Sequence, residues 1–441
     1  MRYAKLYPAL LCFAAGLIVI AAFQAPPREL WEGLDKIVFS EDSLITDYIA
    51  FAGLGPAFLN AGIVGLVCIS IMMASGVPAN GFTIVVVGLM TGFSFFGKNL
   101  FNITPILAGA LLRARVYHVP VATFITSGLL ATSLSPVVSY LTFHDTVIPF
   151  ELRLLIGAGL GVLIGFSIPP LAAHTFKIQN GMNLYNLGFA AGMFGTVVSS
   201  VLVTAGVEPV GQFYWATDVT DTLTVFLLLF CAGLILTGFC CDRRALLRRY
   251  GRLLRTTGRA PSDYLRMYGP GPVLLNSGIN GLLALGYLRL IGGDVNGATM
   301  GGVLIVMCFS GYGKHPRNIL PVMFGVWLCA SVSAWGTPLT PGAQLAAMFG
   351  TTLAPISGVF GPVAGVATGF LHMSVVMRAG APLGGLNLYN NGFCAGLVSI
   401  VLYPLLTAVL RERKTDVSAE ETAYRLFVSK AETVGPGKED K

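Results

Sequence analysis

Gly92-Phe-Ser-Phe-Phe-Gly97-Lys98-Asn99-Leu-Phe-Asn102-Ile-Thr-Pro105 interrupts one apolar run, and Phe309-Ser-Gly-Tyr-Gly313-Lys314-His315-Pro316-Arg317-Asn318-Ile-Leu-Pro321 interrupts another, 216 residues later. Gly, Lys, Asn and Pro recur at the same places. Upstream, Gly55, Pro56, Leu59, Asn60, Gly62, Ile63, Gly65 and Leu66 return as Gly271, Pro272, Leu275, Asn276, Gly278, Ile279, Gly281 and Leu282 at the same offset. Downstream the offset becomes 204: Asn183-Leu-Tyr185-Asn186 returns as Asn387-Leu-Tyr389-Asn390, and Gly157, Gly161 and Gly165 return as Gly361, Gly365 and Gly369. The chain is one bundle written twice. Glycines at this spacing let helix backbones approach closely in lipid, so packing is the reading of the stripe.

Of 441 residues, 54% are hydrophobic and 11% charged, with a mean hydropathy of +0.74, too little polar surface for a soluble fold of this size. The class is therefore all-α, a polytopic integral membrane protein, with about 11 to 14 transmembrane segments expected from the length of the apolar stretches. The net charge of +7 is concentrated in residues 242–268, which hold eight Arg against two Asp. That stretch suits a cytoplasmic connector at an anionic leaflet rather than a nucleic-acid site. Eight cysteines lie in or beside apolar segments with no metal-ligand spacing, so neither a metal site nor a cofactor is expected.

Charge sets the orientation. Arg2 and Lys5 place the N-terminus in the cytoplasm, the six acids of 25–47 place that loop outside, and Arg411 with its neighbours returns the C-terminus inside. The first copy then runs opposite to the second, an inverted-topology repeat with broken helices. The division reads as an N-terminal helix and outside loop (1–47), a first repeat (48–206), an unpaired connecting helix (207–241), the Arg-rich linker (242–268), a second repeat (269–410) and a cytoplasmic tail (411–441) carrying a short amphipathic helix. A bacterial inner membrane is the expected location.

Paired breaks in inverted halves point to a solute site at the repeat interface, since unwound backbone in a bilayer must line a cavity or be covered by protein. A Lys in hydrocarbon costs at least about 2.5–3.5 kcal/mol, so its return in both halves asks for a reason. Lys98 and Lys314 are expected to attract an anion. The competing reading is that they snorkel to opposite interfaces. Asn60, Asn102, Asn276 and Asn318, with Asn186 and Asn390, offer paired donors and acceptors to orient a small polar solute, or else cap helices. Tyr185 and Tyr389 read as pore hydroxyls or interfacial anchors. All 21 acids fall in expected loops, linkers or the tail, which argues against an intramembrane carboxylate relay.

The FFGKN…NITP, GYGKH…NILP and NLYN-x-GF-x-AG segments resemble an uncharacterised family of bacterial polytopic membrane proteins known only as a domain of unknown function. Leu59-Asn-Ala-Gly-Ile-Val-Gly-Leu66 and Tyr389-Asn-Asn-Gly-Phe-Cys-Ala-Gly396 are similar to segments of urea transporters, which implies inverted halves around a narrow pore, although the Leu-Pro-x-x-Thr signature of those proteins is absent. The expectation is a channel or secondary carrier for a small polar or anionic solute, not an enzyme, with the lipid bilayer and the solute as partners and a homo-oligomer left open. Two alternatives stand: an intramembrane enzyme on a lipid-linked substrate using Lys314, His315 and Arg317, and a urea-transporter-like channel for a neutral amide.

Overall fold

The computed structural model describes residues 5–209, 211–243, 245–380 and 383–411. Apolar composition and satisfied backbone leave helices as the regular structure here. The first half contains α1 (Leu6–Gln24), α2 (Pro27–Val38), α3 (Tyr48–Ala52), α4 (Leu54–Ala74), α5 (Gly81–Phe93), α6 (Leu100–Val116), α7 (Ala122–Ala131), α8 (Ser135–Phe143), α9 (Phe150–Gln179) and α10 (Asn186–Thr204). The second contains α11 (Thr220–Cys241), α12 (Leu246–Leu253), α13 (Tyr264–Tyr268), α14 (Pro270–Leu290), α15 (Gly297–Cys308), α16 (Pro316–Val332), α17 (Pro341–Phe349), α18 (Ala354–Phe360), α19 (Pro362–Ala379) and α20 (Asn390–Val409). Each element of the first half has its counterpart in the second, in order. Nine helices among the described residues are long and apolar enough to cross a membrane, α7–α8 and α17–α18 each counting as one through a short 3-10 turn, so this is a multi-pass membrane protein.

One expectation is corrected at once. The helix at 220–241 is not an unpaired connector, because α11 packs along α14 as α1 packs along α4. The halves therefore begin one helix earlier than 48 and 269. The tail from 412 onward, including its expected amphipathic helix, lies outside the described residues.

The halves meet along α5 and α15, which run antiparallel. A Cβ on Gly81, at the start of α5, would come 2.5 Å from the Gly311 carbonyl beyond the end of α15, and one on Gly297, at the start of α15, would come 2.9 Å from the Phe95 carbonyl beyond the end of α5. A second seam joins α10 to α20, where a Cβ on Gly188 or Gly392 would stand 3.1 Å from the other's Cα. These reciprocal contacts describe a pseudo-twofold axis between the seams. Two aspartates pin it: Asp263 caps α13 and accepts the Gly81 N–H at 3.1 and 3.2 Å, while Asp47 caps α3 and accepts from Ala216 and Gly297 of the other half.

The glycine stripe packs as expected. Gly165 and Gly369 lie at the crossings of α9 with α6 and of α19 with α16, and an added Cβ would stand 1.8 Å from Ile106 O and 2.0 Å from Val322 O respectively. Gly109 and Gly325 approach the same crossings from the other helix.

Candidate functional site

Each break is built from a helix that stops, a positive-φ glycine and a capped restart. In the first half α5 ends at Phe93, Gly97 takes φ +110°, and Asn99 caps α6 by accepting the Asn102 N–H. In the second, α15 ends at Cys308, Gly313 takes φ +96°, and the His315 N–H donates to the Asn318 side chain at 2.9 Å. Pro105 sits inside α6 rather than ending it, so the interruption stops at Asn99 and the helix runs unbroken to Val116.

Freed carbonyls must be paired, because a buried one left bare costs about 1–3 kcal/mol. Asn60 Nδ2 donates to Ser94 O at 2.7 Å and Lys98 O at 2.8 Å, and Asn276 Nδ2 donates to Ser310 O at 2.8 Å and Lys314 O at 2.7 Å. Asn102 and Asn318 cover Gly97 O and Gly313 O at 3.1 and 2.9 Å. The amide donors of these four Asn residues are thus engaged by the breaks themselves. Their oxygens differ: those of Asn60 and Asn276 are buried without a partner. Asn60→Asp, isosteric but donorless, should therefore lower the melting temperature of the purified protein as much as Asn60→Ala does. A melt in which Asn60→Asp matches the wild type would show that the donor is not what holds the break.

The two lysines lie between the halves. Lys98 Nζ donates to Tyr389 Oη at 2.8 Å, and Lys314 Nζ donates to Tyr185 Oη at 2.6 Å, so each half's lysine is held by the other half's tyrosine. Aromatic faces complete the surroundings. Lys98 stands 4.7 Å from the Tyr389 ring centre and 5.5 Å from that of Phe93, and Lys314 stands 4.5 Å from Tyr185 and 4.8 Å from Phe309. Both lysines are 0% exposed, which excludes snorkelling and closes them off from water. Among the described residues neither ammonium has a carboxylate partner. An ammonium carries three donors, so each retains capacity that its tyrosine does not use.

Because α5 and α15 are antiparallel, their breaks lie at opposite ends of the pair, about 20 Å apart for a 13-residue helix. The tyrosines nevertheless lead the two lysines back toward each other: at the α10–α20 seam a Cβ on Gly188 would come 3.1 Å from the Tyr389 Cβ and one on Gly392 3.1 Å from the Tyr185 Cβ. Lys98 folds back along α5 as far as Met90, whose Sδ is 3.6 Å from Nζ. Asn186 lies apart from both stations, bridging α9 and α10 through Thr175, Gln179 and the Ala172 carbonyl, and Asn390 sits beside Gly380 and Cys394. Lys314, His315 and Arg317 do not converge: Lys314 meets Tyr185, His315 Nε2 meets Thr256 O at 3.0 Å, and Arg317 is exposed.

A residue without any motif around it completes the first break. Asp42, in the loop 39–47 outside the spanning helices, is wholly buried and accepts from Asn99 Nδ2, Asn102 Nδ2 and Ser139 Oγ at 2.9, 3.0 and 3.0 Å on one oxygen, and from Tyr48 Oη at 2.7 Å on the other. Burial pushes this carboxyl up to about 7, against the four hydrogen bonds that favour its charged form, and pushes Asp47 up to about 6. Tyr48 also donates its N–H to Phe95 O at 3.0 Å. The pairs Asp47-Tyr48 and Asp263-Tyr264 obey the 216-residue offset, a signal that could have extended the repeat upstream.

A family profile described as "Protein of unknown function (DUF1576)" matches residues 26–204 and 243–408, more than half of the chain. No curated protein matches, and no solved structure does.

Proposed function

Since the chain belongs to this family of unknown function, its activity must be argued from its own residues, and we propose that it is a secondary carrier for a small anionic solute, alternating between the Lys98–Tyr389 and Lys314–Tyr185 stations. The supporting observation is the exchange itself: two fully buried lysine Nζ groups without carboxylates among the described residues, each bonded across the interface between halves. Charging either lysine in such a place costs several kcal/mol, and an anion is the ligand that would offset that cost.

Closure of both stations in this conformation favours a carrier over an open channel. Relative movement of the halves would separate the Lys–Tyr pairs in turn and admit solute to the exposed ammonium. Inverted halves make the two end states near mirror images of each other in energy. In this reading the N-terminus and C-terminus lie in the cytoplasm, and the Arg-rich stretch around α12 rests on the inner leaflet.

The test is uptake into proteoliposomes of labelled succinate, glycolate and phosphate. Saturable uptake above protein-free vesicles is expected for at least one of these. Uptake of a neutral amide such as urea, with all the anions excluded, would overturn the anion assignment.

A further inference from the structure

Among the described residues, Asp42 is the carboxylate that grips a break, and it has no counterpart in the other half. Nearly every other element of the two stations is duplicated, but at the 216-residue offset Asp42 corresponds to Gly258, where a Cβ would stand 2.6 Å from Asn318 Nδ2 and 2.0 Å from Gly313 O. The second break closes on backbone carbonyls of Thr256 and Thr257, and the first closes on a side chain that can change its charge.

We infer that Asp42 is a proton-binding site whose protonation loosens the first break. The chemistry lies in its partners. On Oδ2 the amides of Asn99 and Asn102 can only donate, whereas the hydroxyls of Ser139 and Tyr48 can turn to accept. When the carboxylate takes up a proton on Oδ2 and becomes a carboxylic acid, its new O–H donates to Ser139 Oγ. That oxygen of Asp42 then has less accepting capacity for the two amides that fix Asn99 and Asn102. Both belong to the capping box that restarts α6, so the proton acts on the turn carrying Lys98.

The groups facing Asp42 are neutral: Tyr48 from α3, Asn99 and Asn102 from the break and α6, and Ser139 from α8. Ile37 O of α2 accepts from the same Asn99 amide at 3.1 Å. Among the described residues no cation holds the carboxylate in its charged state. On its own loop, Glu41 pairs with half-exposed His144 of the α8 terminus at 3.3 Å and Asp47 is held by Ala216, so neither bonds to Asp42. Resting on the carrier reading, the consequence is that the anion travels with a proton.

Infrared titration of the full chain in nanodiscs, from about pH 5 to about pH 8.5, tests the site without reference to transport. A protonated-carboxyl band should titrate near pH 7 and be absent from Asp42→Asn, while the Asp47 band near 6 remains. Ser139→Ala and Tyr48→Phe, each deleting a hydrogen bond that favours the charged form, should move the upper midpoint to higher pH even if Asp42→Asn fails to fold. A band unaffected by all three substitutions, or no carboxyl titrating above about pH 5.5, overturns the inference. In proteoliposomes, an inward proton gradient should drive succinate accumulation by the wild type and not by Asp42→Asn. Equal accumulation by both would overturn the coupling. Absence of any anion flux would instead sink the carrier reading, and the infrared result would still decide the proton site.

Discussion

Replacing Lys98 and Tyr389 together by Met and Phe, with Lys314 and Tyr185 treated likewise, is expected to give a protein that melts higher than the wild type and moves no anion. Each buried Lys costs at least about 2.5–3.5 kcal/mol on insertion scales, only partly offset by one hydroxyl and two aromatic faces. Lys→Met alone would leave a tyrosine hydroxyl without its partner, at about 1–3 kcal/mol, so the single replacements should be nearly neutral. Removing both members of a pair exposes the gain. A structural lysine would behave in the opposite way, since its loss would lower the melting temperature. Uptake that survives in the fourfold variant would remove the stations from the mechanism.

Gly165→Leu and Gly369→Leu are expected to abolish folded protein. The Cβ atoms would fall 1.8 and 2.0 Å from backbone carbonyls of α6 and α16, and a helix backbone cannot yield as a side chain does. The cost should exceed the roughly 1–3 kcal/mol usual for overpacking, because two helices must separate along their length. Gly159→Leu is the control. It lies on the same helix with nothing within 4 Å of an added Cβ, and should leave the size-exclusion profile and the melt unchanged. If the two crossing variants purify as well as this control, the close approach of α6 to α9 and of α16 to α19 is wrong.

How far the fold is legible in the sequence depends on what each residue touches. The breaks, the lysines and the glycine crossings are legible, because backbone interruption and close approach tolerate few residue types and so repeat visibly. The kinship of α1 with α11 is not. Only Ala14, Leu17 and Ala21 of α1, and Leu223, Leu227, Cys231 and Gly238 of α11, are buried, and lipid accepts any apolar residue on the remaining faces. Asp42 is hidden for a different reason: a loop carboxylate joins a membrane site only through tertiary folding, which no local spacing announces. The Asn residues illustrate a third limit. Their type and position are readable, but whether an amide serves a solute or the broken backbone beside it depends on distances of a few tenths of an ångström.

If the two stations open in turn to opposite sides of the membrane, their accessibility must differ by face. Cysteine placed at position 98 or at position 314 of the otherwise cysteine-free protein, in sealed vesicles of known orientation, can be challenged with a membrane-impermeant maleimide from either face. Each position should be labelled from one face only, and the two faces should differ. Labelling of neither position from either face, with or without anion, would contradict alternating stations.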